Sequence, residues 1–428
     1  MSDLDLALKS IKNKTPLYTQ LYSYLEGNPR LKYSTERLTR AFGNSLTYFA
    51  QSWGSIVINA VLDRLVLKGF NSTNATANNM LDDLFSRLGM NLDAQDVHEA
   101  IQVTGEAFLI VDLFDGQPEI YFNDPRLCEV FYDSDRPKLK KFAAKRWTGN
   151  DGKVYVSLYY PDRIEKYVSD TGNTSKSFTL VETVANDFGD IPVFHFRDSK
   201  RIIQGEFDKS TISLLDAVNK LFSDLMVAAE FEAFKMRVFI SSSDPGDISV
   251  GPDMNLWLPA NESGGQASNV IELGGSSLRN FLDPIENLAS TLAVTTRTPK
   301  TYFTNSGANL SGEALLVEES PLVKKVMNKQ EAYSPTWKEV ALYLLKVNGL
   351  VVDANEVSCV WESPETTLPL TEAQVLQAYI SAQVPLATAL RWTNHDEEEI
   401  NQVLSEKTIE SSSQQNALAQ SLLKFNGG

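Results

Sequence analysis

Cysteine and histidine are almost missing from this chain, whose 428 residues include two of the first and three of the second. Cys128 and Cys359 lie far apart, and nothing places them in an oxidising compartment, so spectator thiols are expected rather than a disulfide. His98, His195 and His395 form no H-x-x-x-H pair, which argues against a histidine-built metal site. Long apolar runs are missing too. The longest, such as residues 56–58 and 108–111, fall well short of the roughly 20 residues that span a bilayer. The stretch MSDLDLALKSIKNK lacks the charged start, apolar middle and small-residue cleavage site of a signal peptide, so the chain is expected to stay where it is made.

Catalytic signatures are absent as well. There is no G-x-S-x-G, no H-E-x-x-H and no glycine-rich phosphate loop ending in Gly-Lys-Ser/Thr. Acid pairs occur at Asp82–Asp83, Asp112 with Asp115, Asp133 with Asp135, and Glu397–Glu399. Each lies beside turn residues or on a polar helix face, where solvated acids are ordinary, whereas a two-metal nuclease needs its carboxylates to converge. The reading is therefore not an enzyme, with no cofactor and no metal; a hydrolase or nuclease with a carboxylate site in the β-rich region is the alternative. Excess positive charge is missing: the net charge is −16. That argues against a protein gripping nucleic acid tightly through Lys and Arg, but not against one that surrounds DNA and lets it slide.

What is present falls into blocks. Leu4, Leu8 and Ile11 recur at helical spacing in a polar stretch over residues 1–40. Trp53–Leu67 predicts a helix closing at Lys68-Gly69, and residues 78–101 predict one or two short amphipathic helices. From Glu106 the period shortens. The runs 106–114, 119–122, 127–132, 138–147, 154–160, 163–168 and 178–184 predict strands, punctuated by Asp115-Gly116, Asn123-Asp124-Pro125 and Asn150-Asp151-Gly152. This reads as an antiparallel meander ending near Ile191–Phe196. Asp208–Met236 then forms an unbroken helical pattern, roughly 40 Å long. Leu215, Val218, Phe222 and Leu225 lie near one face and Met226 on a second, so the helix wants neighbours on several sides. Arg237–Ser277 is a compact insert with a short strand at Val238–Ile240. A helix from Ser277, capped by that serine, precedes a polar loop over Thr296–Leu310 with two exposed-looking aromatics, Tyr302 and Phe303. A long helix from Ser311 to about Val347 contains Pro321 and Pro335, where kinks are expected. A short strand over Glu356–Trp361 and a helical tail from Thr371 complete an α+β chain.

Four segments, in order, resemble the siphophage portal family of the SPP1 type over roughly residues 20–350. They are Tyr24-Leu25-Glu26-Gly27-Asn28-Pro29 with the helix ending Lys68-Gly69-Phe70; Phe122-Asn123-Asp124-Pro125 leading into Val130-Phe131-Tyr132-Asp133; residues 212–224, ISLLDAVNKLFSD; and Thr298-Pro299-Lys300 through residues 309–315, NLSGEAL. The resemblance implies a wing over 1–207, stem helices over 208–236 and 278–295, and a clip over 237–277. It further implies a tunnel loop over 296–310, a kinked helix and wing return over 311–364, and a crown over 365–428. Clip and C-terminal region are shorter than the family pattern.

The resemblance also implies a ring at one capsid vertex, a homo-oligomer of about twelve subunits with the stem residues Leu215, Val218, Phe222, Leu225 and Met226 between neighbours. Double-stranded DNA would pass through it during packaging and ejection. The expected partners are the terminase large subunit, the head–tail adaptor, and the major capsid and scaffolding proteins, with no membrane. The tunnel-loop residues Lys300, Thr301, Tyr302, Phe303, Thr304, Asn305, Ser306 and Asn309 would face the channel, with Lys235, Arg237, Arg279 and Arg297 as further DNA contacts. Such contacts are expected to be weak and sequence-independent. Lys324 and Lys325 fit either wing salt bridges or channel lining, and are read as salt bridges. The competing structural reading is another virion component, such as a minor head or adaptor protein; the long helix, insert, second helix and polar loop in that order argue against it.

Overall fold

A computed structural model of the protein describes residues 2–32, 51–169, 177–199, 202–233, 237–241, 255–259, 269–272, 277–304, 311–366, 369–393 and 399–409. The chain divides into two compact units. One comprises Met1–Leu310 with Val317–Glu362, the other Ser311–Leu316 with Ser363–Gly428.

The first unit opens with α1 (Asp3–Leu25), whose start is fixed by a capping box between Ser2 and Asp5. Next come α2 (Trp53–Leu62), β1 (Leu67–Ser72), α3 (Ala75–Arg87) and α4 (Met90–Thr104). The helix expected to run to Leu67 therefore stops five residues early, and Lys68-Gly69 lies in a strand. Tertiary pairing decides this: β1 runs antiparallel to β13 (Val357–Trp361), which takes up the backbone groups of this stretch. Leu65, Leu67 and Phe70 are buried in the resulting core.

The β-rich stretch forms β2 (Glu106–Phe114), β3 (Gln117–Asn123), β4 (Cys128–Tyr132), β5 (Lys140–Thr148), β6 (Val154–Tyr159), β7 (Arg163–Ser169), β8 (Phe178–Ala185) and β9 (Val193–Arg197). These are two sheets, not one meander: a three-stranded sheet ordered β3-β2-β9 and a five-stranded sheet ordered β4-β5-β6-β7-β8. Side-chain alternation explains the layering. On β2, Phe108 and Ile110 turn toward Cys128, Val130, Ala143 and Tyr159 of the larger sheet. Ala107, Leu109 and Val111 turn the other way, into a core shared with α4 and the later long helix. On the far face of the larger sheet, Phe142, Ala144, Val156 and Leu158 pack under Ala7 of α1. A strand covered on both faces reads as a continuous apolar run, which is what residues 107–111 are.

Helix α5 spans Lys209–Ala233. The insert contributes β10 (Arg237–Ser241), β11 (Asn255–Pro259) and β12 (Asn269–Glu272), with β10 central, parallel to β11 and antiparallel to β12. Helix α6 (Arg279–Thr296) begins at Leu278 without a side-chain cap, so the expected serine cap is not made. Helix α7 (Gly312–Val347) is assigned without a break through Pro321 and Pro335. In the second unit, α8 (Pro369–Ser381) and α9 (Leu386–Trp392) meet where Tyr379 and Trp392 pack edge to face at 5.3 Å.

The connection from β9 to α5 crosses the end of α4 at two glycines. A Cβ on Gly105, which has φ +91°, would lie 2.2 Å from the Gln204 backbone nitrogen, and one on Gly205 would lie 2.3 Å from the Gln102 carbonyl oxygen. Both approaches are backbone on backbone, so nothing flexible can yield. Gly205→Ala is expected to lower stability by more than about 2 kcal/mol, measured by urea denaturation; a change below about 0.5 kcal/mol would show that this crossing tolerates a side chain.

Candidate functional site

Helix α5 is only in part the sticky rod expected from its sequence. Leu215 and Val218 are buried inside the chain's own core, with Tyr18, Leu21 and Tyr24 of α1, Trp53 and Val57 of α2, and Ile285, Ala289 and Leu292 of α6. Those two residues are therefore covered within the protomer rather than free for a ring neighbour. Phe222 and Leu225 are half-buried at the edge of the same core, and Met226 is 53% exposed. Polar residues pin the helix on another side: Tyr24 donates to Asp216 at 2.6 Å, and Lys32 pairs with the same carboxylate at 2.9 Å.

Helix α6 ends in a Schellman-type turn. Thr298 donates its N–H to the Ala293 carbonyl at 3.0 Å, and Arg297 takes the left-handed conformation, φ 55°, that glycine usually fills. Along α6 the hydroxyls of Ser290, Thr291, Thr295 and Thr296 each donate to the carbonyl four residues back, at 2.8–3.0 Å.

The loop that follows is firmly rooted. Residues 300–302 form a 3₁₀ turn. Phe303 is 9% exposed and packs on Trp53 with ring centroids 5.4 Å apart, so it is core rather than a displayed aromatic. Tyr302 is 38% exposed; its hydroxyl accepts from Arg64 and donates to Glu319, both at 3.3 Å. Arg64 and Glu319 also pair directly at 3.0 Å. Lys300 reaches Glu286 on α6 at 3.2 Å, and the Thr301 N–H reaches Glu318 on α7 at 3.4 Å. Thr304 closes the turn onto the Lys300 carbonyl. Asn305, Ser306 and Asn309 lie outside the described residues, as do Lys235 and the Arg237 side chain; Arg279 and Arg297 are exposed.

Beneath the root lies a charge network that sequence reading caught only at Lys325. Lys325 and Lys329 of α7 sit one turn apart on its buried stripe, with side chains 10% and 8% exposed. Glu206 lies against both, pairing closely with Lys325 and at 3.0 Å with Lys329. Asp198 joins Lys329 at 2.7 Å and accepts from the Tyr333 hydroxyl. Lys325 also donates to the Thr296 carbonyl at 2.7 Å, placing a cation at the negative end of α6. Burial would raise the Glu206 pKa, but Lys329 and Lys325 outweigh it and hold the carboxyl below its usual range. Lys325 forms the salt bridge expected of it; Lys324 is exposed. The legible signal was two lysines at i, i+4 among apolar neighbours, Leu322, Val326 and Tyr333.

A second network joins α1 to the sheets. Glu106, 1% exposed, accepts from Lys14 at 2.8 Å, Tyr18 at 2.8 Å and His195 Nε2 at 2.9 Å. Burial drives the His195 pKa down to about 4, even beside the carboxylate, so the ring is neutral at pH 7. Nε2 then carries the proton to Glu106, and Nδ1 accepts from the Tyr132 hydroxyl at 3.2 Å. A Glu–His pair invites a general-base reading, yet the two side chains are only 1% and 2% exposed, so no substrate reaches them. Among the described residues no group of three His, Cys, Asp or Glu side chains could hold a metal. No helix there is long and apolar enough to cross a membrane.

Residues 9–413 match the profile of the family described as phage portal protein, SPP1 Gp6-like. The chain is 22% identical over 367 residues to the portal protein of Mycobacterium phage D29, covering 78% of this chain and 74% of the relative. It is 21% identical over 365 residues, with the same coverage, to the portal protein of Mycobacterium phage L5. Among solved structures, a chain from the neck of an empty GTA particle superposes with a TM-score of 0.50 at 11% identity, over 88% of this chain and 98% of that one. With its α5–insert–α6–loop–α7 order and a family match over nearly its whole length, this chain belongs to the SPP1 Gp6-like phage portal protein family.

Proposed function

We propose that this protein is a capsid portal: a ring at one vertex of the phage particle through which double-stranded DNA is packaged and ejected. The observation that carries the reading is the family match over residues 9–413. Its role is structural and its place is the virion. In the finer reading the ring has about twelve subunits, and catalysis is left to the packaging motor, the terminase large subunit. The head–tail adaptor and the capsid and scaffolding proteins complete its partners.

Within that reading, Met226 and the outer edges of Phe222 and Leu225 are the parts of α5 left for a neighbouring subunit. Tyr302, Phe303 and Thr301 act as the loop's anchors, and Asn305, Ser306 and Asn309 are the proposed DNA-facing side chains. Lys235, Arg237, Arg279, Arg297 and Lys300 are proposed as the few basic contacts. An acidic chain, repeated around a ring, repels phosphate weakly because screening confines its field to about 8 Å. Weak contact suits a conduit, where tight binding would stall movement.

Negative-stain electron microscopy of the purified chain is expected to show rings of about a dozen subunits around a central channel. Duplex DNA should bind those rings weakly and lose affinity steeply with salt. A chain that stays monomeric at every concentration and cuts DNA with magnesium would overturn the portal reading in favour of a nuclease.

A further inference from the structure

The first unit carries a cleft of about 360 Å³ away from the loop root. It opens between the start of β5, the β8–β9 connection and the last turns of α7. Ile191, Phe194, Leu342 and Tyr343 supply an apolar floor, while Lys138, Lys140 and Lys346 bring cations against two acids, Asp190 and Glu339. The cleft thus has a surplus of one positive charge on a chain whose net charge is −16.

The three lysines are not equivalent. Lys346 is engaged, reaching Asp190 at 2.5 Å and the Phe188 carbonyl at 2.7 Å. Lys138 is exposed and has no partner among the described residues. Lys140 is the informative one. Its side chain is 20% exposed, its ammonium stands 4.8 Å from the centre of the Phe194 ring, and its carboxylate partner, Glu339, is distant at 3.5 Å and itself 58% exposed. Burial holds the Lys140 ammonium below its ordinary pKa despite Glu339. A cation desolvated to this degree and only loosely paired is stabilised by a further anion.

We propose that this cleft is a docking site for an acidic peptide segment of a protein partner, one that sets a carboxylate on Lys140 and an apolar side chain on the floor between Phe194 and Tyr343. A carboxylate on a peptide fits better than a nucleic-acid phosphate. The floor is apolar and aromatic, and an apolar side chain of a peptide would cover it, whereas a sugar–phosphate backbone would leave it wet. Glu339 occupies part of the partner's place in the free protein, so the guest carboxylate displaces it.

The test uses the full chain and a fluorescein-labelled peptide of alternating Asp and Leu, read by fluorescence anisotropy. Saturable binding is expected. Lys140→Met, which keeps most of the aliphatic stem, should weaken it about tenfold, or about 1.4 kcal/mol. Glu339→Gln, at an exposed position, should tighten it several-fold, a sign that a folding defect does not produce. Lys141→Met, on the neighbouring exposed lysine, should change it less than about twofold. Equal losses in Lys140→Met and Lys141→Met would mean attraction by net charge alone and would overturn the proposal. So would displacement of the peptide by duplex DNA, or binding that never saturates. Ring formation by each variant is scored separately, so failure here is distinct from failure of the portal reading.

Discussion

Glu206→Gln is expected to lower the unfolding free energy by about 3–5 kcal/mol, a substantial fraction of the stability of an ordinary domain. The reason is arithmetic of charge in a place without water. Glu206 is the carboxylate common to Lys325 and Lys329, and each lysine is buried to within a tenth of its side-chain surface. Neutralising it leaves Asp198 as the one remaining carboxylate of the network to balance both lysines, and Lys325 keeps only neutral acceptors, the Thr296 carbonyl among them. The loss should be smaller in a Lys325→Met background, because one of the stranded cations is gone before the carboxylate is removed. Urea denaturation of the four members of this cycle reads the coupling directly. Equal costs in both backgrounds would show that Glu206 acts through something other than these lysines.

Acidification is expected to give the second large effect. Burial lowers the His98 pKa to about 3 and the His195 pKa to about 4, against 6.5 for the ordinary imidazole. Both rings are therefore neutral in the folded chain, while the unfolded chain takes up protons as pH falls below about 6.5. Their stabilisation is whole above that value and is lost as pH falls toward 4, by about 3 kcal/mol for each ring. Glu106 adds a later loss. Burial alone would raise its pKa, but His195 and Lys14 bring it to about 2, so its contribution fades between about 4.5 and 2. Charge repulsion in this acidic chain eases over the same range. The useful quantity is therefore the difference in slope between the wild-type chain and a His98→Gln, His195→Asn variant. A variant that loses stability as steeply as wild type between pH 7 and 4 would refute the assignment.

Much of this architecture was written in local pattern. The strands of the β-rich stretch could be read from β-branched runs between Gly, Asp and Pro turns, and α5 from its unbroken helical period. What escaped was decided across long separations. The sheets part because β4 starts a new sheet instead of pairing with β3 and β9 returns to β2, choices invisible to any short window. Leu67 and Phe70 suit a helix face or a strand, and β13 decides for the strand. Phe303 looked displayed because its neighbours are polar, yet its partner Trp53 lies far back along the chain. The same applies to the charge networks. A lysine on an apolar stripe announces that an acid must face it, but not that Glu206 and Asp198 arrive on the connection between β9 and α5.

One consequence of α6 concerns friction. Ser290, Thr291 and Thr295 would ordinarily offer hydroxyl protons to any passing oxyanion, and the last two are exposed. Here each proton is already given to the helix's own carbonyl, so these side chains turn methyl and methylene carbon and oxygen lone pairs outward. In the proposed portal, a phosphate drawn along such a stripe would find no free hydroxyl proton at those three positions. With α6 lining the channel, adhesion hysteresis, the energy lost each time a contact forms and breaks, would be reduced there by intrahelical bonding before any polymer arrives, and the stripe would act as a dry lubricant rather than a grip.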